Sequence, residues 1–454
     1  MIDCLSMSQL PAGTRESHIG QAMRWYLRAL LLALALHARA EDAPPPLVVE
    51  RGDVRPLYGD AAPLRFETQF TVRLGSHGDS KWLPELSVSL PGRTFVATSD
   101  HSGGDDEAVA VVAFQSDTLG LLEAFEAAVD NEGRLNLRRQ HGHLAGADGE
   151  LLVLVHLVNG ARLQGVTNLG GGELVVDTRS LPLTQRTGEV VAVTNKGSGD
   201  LFVSTAYPRT IDVGSLDIAT HGSGSIQFDS GDSPLVADNL SFAENGSGGI
   251  AFRAWSIRAT RSLDIGAQGS GGVCVAAASL NAGEINVAVM GSGTVSLGVD
   301  GVCQLAGVGV MGSGHALVGS IRCRDVAVVM VGSGDTVVRA THQLAGRKVG
   351  SGHVRYVGPR PHIVADKHHS TKWAEPAGEA VATPPCHLKP SPPRVPAHVS
   401  VKEINIAAMR QAVLIPLVVA AVAAAWYVSC ETRRHRRPAE QPLLAQQRTG
   451  GVYV

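Results

Sequence analysis

Asp217 and Asp264 are the carboxylates whose placement bears most on chemistry. Each sits between two apolar residues, in Leu216-Asp217-Ile218 and Leu263-Asp264-Ile265, at the same distance from a Gly-Ser-Gly triplet. Two carboxylates at reachable separation on one face do acid and base work on a glycosidic bond. Here Ser241 holds that position in the intervening repeat. Beyond it the acids from Val273 to Val354 (Glu284, Asp300, Asp325 and Asp335) fall at scattered offsets. Such scatter is poor ground for a catalytic face. The run His101–Glu107 (HSGGDDE) has an acidic trio, but not the fixed ligand spacing of a calcium loop, and reads as a solvated loop. His141 and His143 lack a third ligand at zinc spacing, and His368-His369 lies in a proline-rich stretch. Gly307-Val-Gly-Val-Met-Gly312 fits a dinucleotide-binding glycine pattern, yet it spans a strand and a corner with no helix after it. The sequence carries no nucleophile elbow, zinc-protease helix motif or phosphate loop. It therefore assigns no catalytic residue, no metal and no cofactor.

The elements that would position these residues come from a repeat. Gly-Ser-Gly occurs eight times, beginning at Gly197, Gly222, Gly246, Gly269, Gly291, Gly312, Gly332 and Gly350. The steps are 25, 24, 23, 22, 21, 20 and 18 residues. A repeat of this length that buries its apolar face only by stacking is a solenoid. Apolar residues recur six before each triplet, four before all but the last, six after each and four after all but the one at Gly332, as in Leu216, Ile218, Ile226 and Phe228. Alternation of this kind means strands with one face inward. Its recurrence at fixed offsets stacks equivalent strands side by side. The expected fold is all-β, a right-handed parallel β-helix. It should taper as its coils shorten. The triplets are its corners, where glycine allows a sharp bend. Their serines should form a ladder bonding along the stack or to backbone.

The segments LDIATHGSGSIQF, LSFAENGSGGIAF and LDIGAQGSGGVCV resemble the putative auto-transporter adhesin head (GIN) domain family. The resemblance covers residues 170–357 well and extends back to about Phe66, where AVAVVAFQSDTLGLLEAFEAAVDNEGRLNLRR resembles the family's opening strands. It implies a right-handed β-helix, exported or attached to a surface, without an assigned activity. It transfers no catalytic residue.

Later strands are apolar on both faces, as in INVAVM (285–290) and VAVVMV (326–331). Strands of that kind are covered on both sides. The outward set Met290, Met311, Val329 and Val331 is therefore a candidate interaction face, covered either by another segment of this chain or by a partner. Cys303 and Cys323 each lie nine residues before the next corner. Stacked on adjacent coils, their Cα atoms come about 4.8 Å apart, which suits a disulfide in an exported domain. Cys274 and Cys386 have no assignable partner. Asn239-Leu-Ser and Asn245-Gly-Ser are glycosylation acceptors.

The remaining segments set the topology. Residues 1–22 form a patternless upstream extension. Residues 23–40 read as a signal peptide, with Arg24 and Arg28, an apolar core and a small-x-small site ending at Ala40. An irregular Pro-rich lead-in (41–65) precedes the β-helical ectodomain (66–357), and a Pro-rich stalk (358–408) follows it. One transmembrane α-helix (409–430) includes an uncharged stretch from Ala412 to Cys430, followed by Arg433, Arg434, Arg436 and Arg437. The tail (431–454) is then cytoplasmic. The expectation is a type I single-pass protein of the plasma membrane, amino end outside. It would display a module for adhesion or ligand binding without catalysis. Its partners are the membrane, an extracellular glycan or protein, and a second copy through self-association. The net charge of −3 among 454 residues points to no nucleic acid. A polysaccharide-acting enzyme and a purely structural surface protein are the alternatives.

Overall fold

The computed structural model describes residues 47–57, 64–74, 82–99, 107–140, 146–158, 160–183, 190–204, 210–365, 373–377 and 386–401. The signal-like segment 23–40, the apolar stretch 409–430, the tail 431–454 and the four histidines 141, 143, 368 and 369 lie outside them. So does most of the acidic loop 101–107. Among the described residues no helix is long and apolar enough to cross a membrane.

Apolar alternation produces parallel strands stacked in register. In the first sheet Leu201 pairs with Ile226, and the same column runs on through Ile250, Val273, Val295, Ala316, Thr336 and Val354. In the second sheet Val191 pairs with Leu216, and that column runs through Leu240, Leu263, Ile285, Ala306, Val326 and Leu344. Both columns are buried against each other in one continuous core. Each repeat is thus one coil of a parallel β-solenoid. The shortening has one location. From the first sheet's inner residue to the second sheet's next one the step is 13 positions from Val203 to Leu216, 10 from Val275 to Ile285 and 6 from Val338 to Leu344. The third side of the coil contracts while the two sheets keep their lengths around the corner.

The corner holds through its backbone. The carbonyl of Gly291 accepts from the N–H groups of both Ser313 and Gly314, each at 2.9 Å, and the corners at Gly246, Gly269, Gly291 and Gly332 repeat this, each on the glycine one coil below. A Cβ on Gly199 or Gly248 would overlap the carbonyl oxygen of the glycine one coil below. Close approach therefore demands glycine at these corners, while positive φ appears only from Gly269 onward. The eight serine side chains point outward and are exposed. The ladder expected of hydroxyls is one of backbone amides.

At the amino end the coil order departs from chain order. Strands Trp82–Val88 and Arg93–Thr98 lie between Leu135–Arg139 and Ala147–Leu157 on one side and Arg162–Asn168 and Glu173–Asp177 on the other. The chain lays the second coil first, then returns to build the outermost one. Leu47–Arg51, Phe66–Leu74 and Ala108–Ser116 are antiparallel strands continuing the first sheet beyond Ala147–Leu157. The segment from Phe66 thus opens as an antiparallel cap rather than as coils. The short helix Leu119–Ala124 buries Leu121 and Leu122 at this end. Trp373 and Ala374 are buried against the core at the other end.

The Pro-rich segment differs most from expectation. Its described parts do not extend away from the coils: His362–Ala365 and Glu375–Pro376 add one more strand to each sheet, and then comes 386–401. It runs back along the first sheet: Cys386 is bonded to Cys274, and the Lys389 ammonium lies 3.0 Å from Asp200. The Lys389 amide donates to Gln227, and the segment ends in strand Ala397–Val401, antiparallel to Ala147–Leu151. Val399 is buried there. A strap, not a free stalk, leaves the solenoid.

Candidate interaction surface

Parallel register turns alternate residues of the second sheet into outward columns. Asp217, Ser241, Asp264, Asn286, Gly307 and Ala327 form one. Beside it run Ala243, Gly266, Ala288, Gly309, Val329 and Arg347. The edge nearest the corner is Asn245, Gln268, Met290, Met311, Val331 and Val349, and the opposite edge carries Glu284, Leu305 and Asp325. The face is polar over early coils and apolar over late ones, and its middle is flattened by glycine and alanine.

All four outward residues named from the sequence stand on this face. Met311 is 46% and Val331 38% exposed, while Met290 and Val329 are half-buried. Leu305 at 51% and Val349 at 50% belong to the same patch and escaped the sequence reading. The signal for Val349 was present, since it occupies the position of Met311 and Val331 before the next corner. Leu305 stands in a column whose neighbours are Glu284 and Asp325, so no repeated apolar type marked it and it was not legible.

Asp217 and Asp264 do share a column, two strand steps apart with Ser241 between them. Asp264 accepts from the Ser262 hydroxyl (2.6 Å) and from Asn286 Nδ2 (2.8 Å). Asp217 is largely desolvated, and burial first, Asp264 second, push its carboxyl up to about 6. Ala219, Ala243 and Gly266 beside the pair leave a flat surface rather than a cleft. A core void lined by Ile285, Val308, Ile321 and Val326 has a volume of about 10 Å³, room for no ligand larger than water. Among the described residues no group of three or more metal-ligating side chains converges.

A second set of polar residues went unnoticed in the sequence. The residue two before each corner points inward. Asn168, Asn195 and Thr220 donate to the carbonyl four residues on, that of Gly172, Gly199 and Gly224, at 3.1, 2.8 and 3.0 Å. Lys348 does the same to Gly352 at 2.9 Å. Glu244 occupies the same position fully buried. Its Oε1 accepts from the Gly246 amide at 2.7 Å, its Oε2 has no partner, and burial raises its carboxyl above the usual range.

The cysteines of adjacent coils, Cys303 and Cys323, are bonded with Cα atoms 4.4 Å apart, and Cys274 and Cys386 with Cα atoms 5.6 Å apart. Asn239 donates to the Ser215 hydroxyl and Asn245 Nδ2 lies 3.1 Å from His221 Nδ1. Both acceptor asparagines are half-buried within a strand.

Residues 243–359 match the family model described as putative auto-transporter adhesin, head GIN domain. The family resemblance carried by the Gly-Ser-Gly segments therefore holds over these coils. No curated protein matches the chain. Solved structures similar to it include a putative lipid binding protein from Parabacteroides distasonis, at 14% identity over 71% of this chain and 96% of that one, with a TM-score of 0.32. A putative adhesin from the same organism matches at 15% identity over 74% and 98%, with a TM-score of 0.28. One from Parabacteroides merdae matches at 11% identity over 70% and 98%, with a TM-score of 0.31. Scores this low carry no functional argument.

Proposed function

We propose that this chain displays its solenoid at a cell surface as an adhesion or ligand-binding module, without catalysis. The observation that carries the reading is the match of residues 243–359 to a family of adhesin heads. The rigid face between Ala288 and Val349 supports it, because exposed apolar patches on soluble surfaces mark contact sites. In this reading residues 23–40 direct export and are removed. Residues 409–430 cross the plasma membrane once, and the arginines that follow hold the tail in the cytoplasm. The coils wind right-handed, and the amino end, the solenoid and its two cystines lie outside. The partner is an extracellular glycan or protein.

Labelling intact cells with a membrane-impermeant reagent tests display: the solenoid should label and the tail should not. A glycan array probed with the full chain tests the rest. Binding without turnover is the expected result. Turnover would replace the reading with a polysaccharide-acting enzyme, and neither binding nor turnover would favour a structural role.

A further inference from the structure

We propose that the outward face of the second sheet from Ala288 to Val349 binds the same face of a second copy, with the two rods antiparallel. The adhesion it implies rests on the surface display argued above; the contact itself does not.

The patch is exposed, flat and apolar: Leu305, Met311, Val331 and Val349 surround Gly307 and Gly309. The two outermost described ends, Leu47 and Val401, lie far from it, whereas the described stretch ending at Ala365 is the strand next to that of Val349. Val401 pairs with Ala147, at the level of strand Arg93–Thr98. From that level to the strand of Met311 there are seven strand steps, about 34 Å. The seven residues before the apolar stretch at 409 reach at most about 25 Å. The six residues left before Leu47 once the signal is removed start from the same end of the rod, and reach about 21 Å.

Register decides how two such faces stack. With rods parallel, the column of Met290 and Val331 would lie against the opposite edge of the second copy. Glu284, and Asp325 together with its His342 partner at 2.7 Å, would then be buried on apolar side chains, and desolvating carboxylates is costly. The two Arg347 side chains would also lie side by side. With rods antiparallel each column meets itself. Met290 then faces Val349 of the second copy, Met311 faces Val331, and Val329 sits over Gly309; Glu284 meets Gln343, and of the two acids only the His342-paired Asp325 meets an apolar side chain, Leu305. Arg347 is carried toward the acidic end of the other face, where Asp264 lies. Four coils by four columns give roughly 400 Å² per copy, about half of a standard stable interface. The contact is weak singly and gains strength from many copies on a surface.

The strap gives the contact a direction. Because the chain leaves beside its first coils, antiparallel rods have their exits at opposite ends. Copies on two apposed membranes can pair in this way.

The test uses the full chain reconstituted into two populations of phosphatidylcholine vesicles, read by light scattering. Wild type on both should cluster. Met311→Lys with Val331→Lys on either population should cut clustering at least tenfold, with circular dichroism and melting unchanged. Thiol cross-linking should join Met290→Cys on one population to Val349→Cys on the other, a readout independent of the lysine variants. Vesicles that float with bound protein but do not cluster would overturn the inference and leave display standing. So would a cross-link between Leu305→Cys and Met311→Cys, the mark of parallel rods. Protein that fails to float defeats the anchor alone, and sedimentation of the same full chain then reads dimerisation directly. A monomer there means residues 409–430 or another part of the chain covers the face, and the inference falls.

Discussion

Glu244 is where one side chain sets the chemistry of a corner. Asparagine at its position both accepts from the first glycine and donates to the third; a carboxylate can only accept. With Oε2 buried and unpartnered, the carboxyl holds its proton above its ordinary range, and only the protonated form has a donor to offer. Glu244→Gln supplies that donor at every pH. We expect it to stabilise the fold by about 1 kcal/mol at neutral pH, the usual worth of one hydrogen bond, read as a higher midpoint in urea. Asp217 makes a second pH-dependent contribution of the same sign. Its folded carboxyl titrates near 6, against about 3.9 when unfolded. The folded state keeps a proton the unfolded chain releases. Stability therefore falls as pH rises from about 4 to about 6 and is flat above, by about 3 kcal/mol. Asp217→Asn should remove that fall in denaturant midpoints taken across the range. Asp264→Asn, by removing the neighbouring charge, should shift the fall to lower pH. A midpoint that rises with pH in wild type would contradict both assignments.

Among elements, the strap is held by contacts between residues far apart in sequence. The Cys274–Cys386 bond closes a separation of 112 residues, worth at most about 5 kcal/mol on loop-closure entropy. Cys386→Ser should speed amide exchange in Ala397–Val401 at least tenfold while protection across the coils from Leu201 to Tyr356 stays unchanged. Equal protection in both proteins would mean that strand pairing alone holds the strap. The contrast explains what the sequence revealed. Columns such as Leu201–Ile226–Ile250 were legible because each coil repeats one residue type at one offset. The strap repeats nothing; its prolines mark a segment without helix or interior strand, and packed or free it would have the same composition. The antiparallel cap escaped for a related reason, since FETQFTVRL and AVAVVAF alternate just as coil strands do and alternation does not encode strand direction. The apolar face was legible in Met311 and Val331. The inward polar ladder was available at a fixed offset in Asn195, Thr220 and Glu244, but fades into Ala267, Val289 and Val310 halfway along the rod.

For the whole molecule, the path of the strap decides which end of the rod faces the membrane. A free stalk after Val357 would put the last coils nearest the bilayer. Instead the described chain ends at Val401, level with the second coil. The last strand of the first sheet, Glu375–Pro376, lies ten strand steps further on, about 48 Å. With an anchor at 409–430, the amino-terminal cap is then membrane-proximal and the last corner, Gly350–Gly352, is distal, so the apolar patch near Val331 is held clear of its own membrane. A fluorophore at Asn131→Cys, in the exposed turn of the outermost coil, should transfer energy strongly to a dye in the bilayer. One at Ser351→Cys should transfer weakly. Cutting the strap by Cys386→Ser and Cys274→Ser should narrow the difference without inverting it, because strand Ala397–Val401 still fixes the exit. Stronger transfer from position 351 would mean that the chain leaves from the other end, and two antiparallel rods could then no longer bridge apposed surfaces.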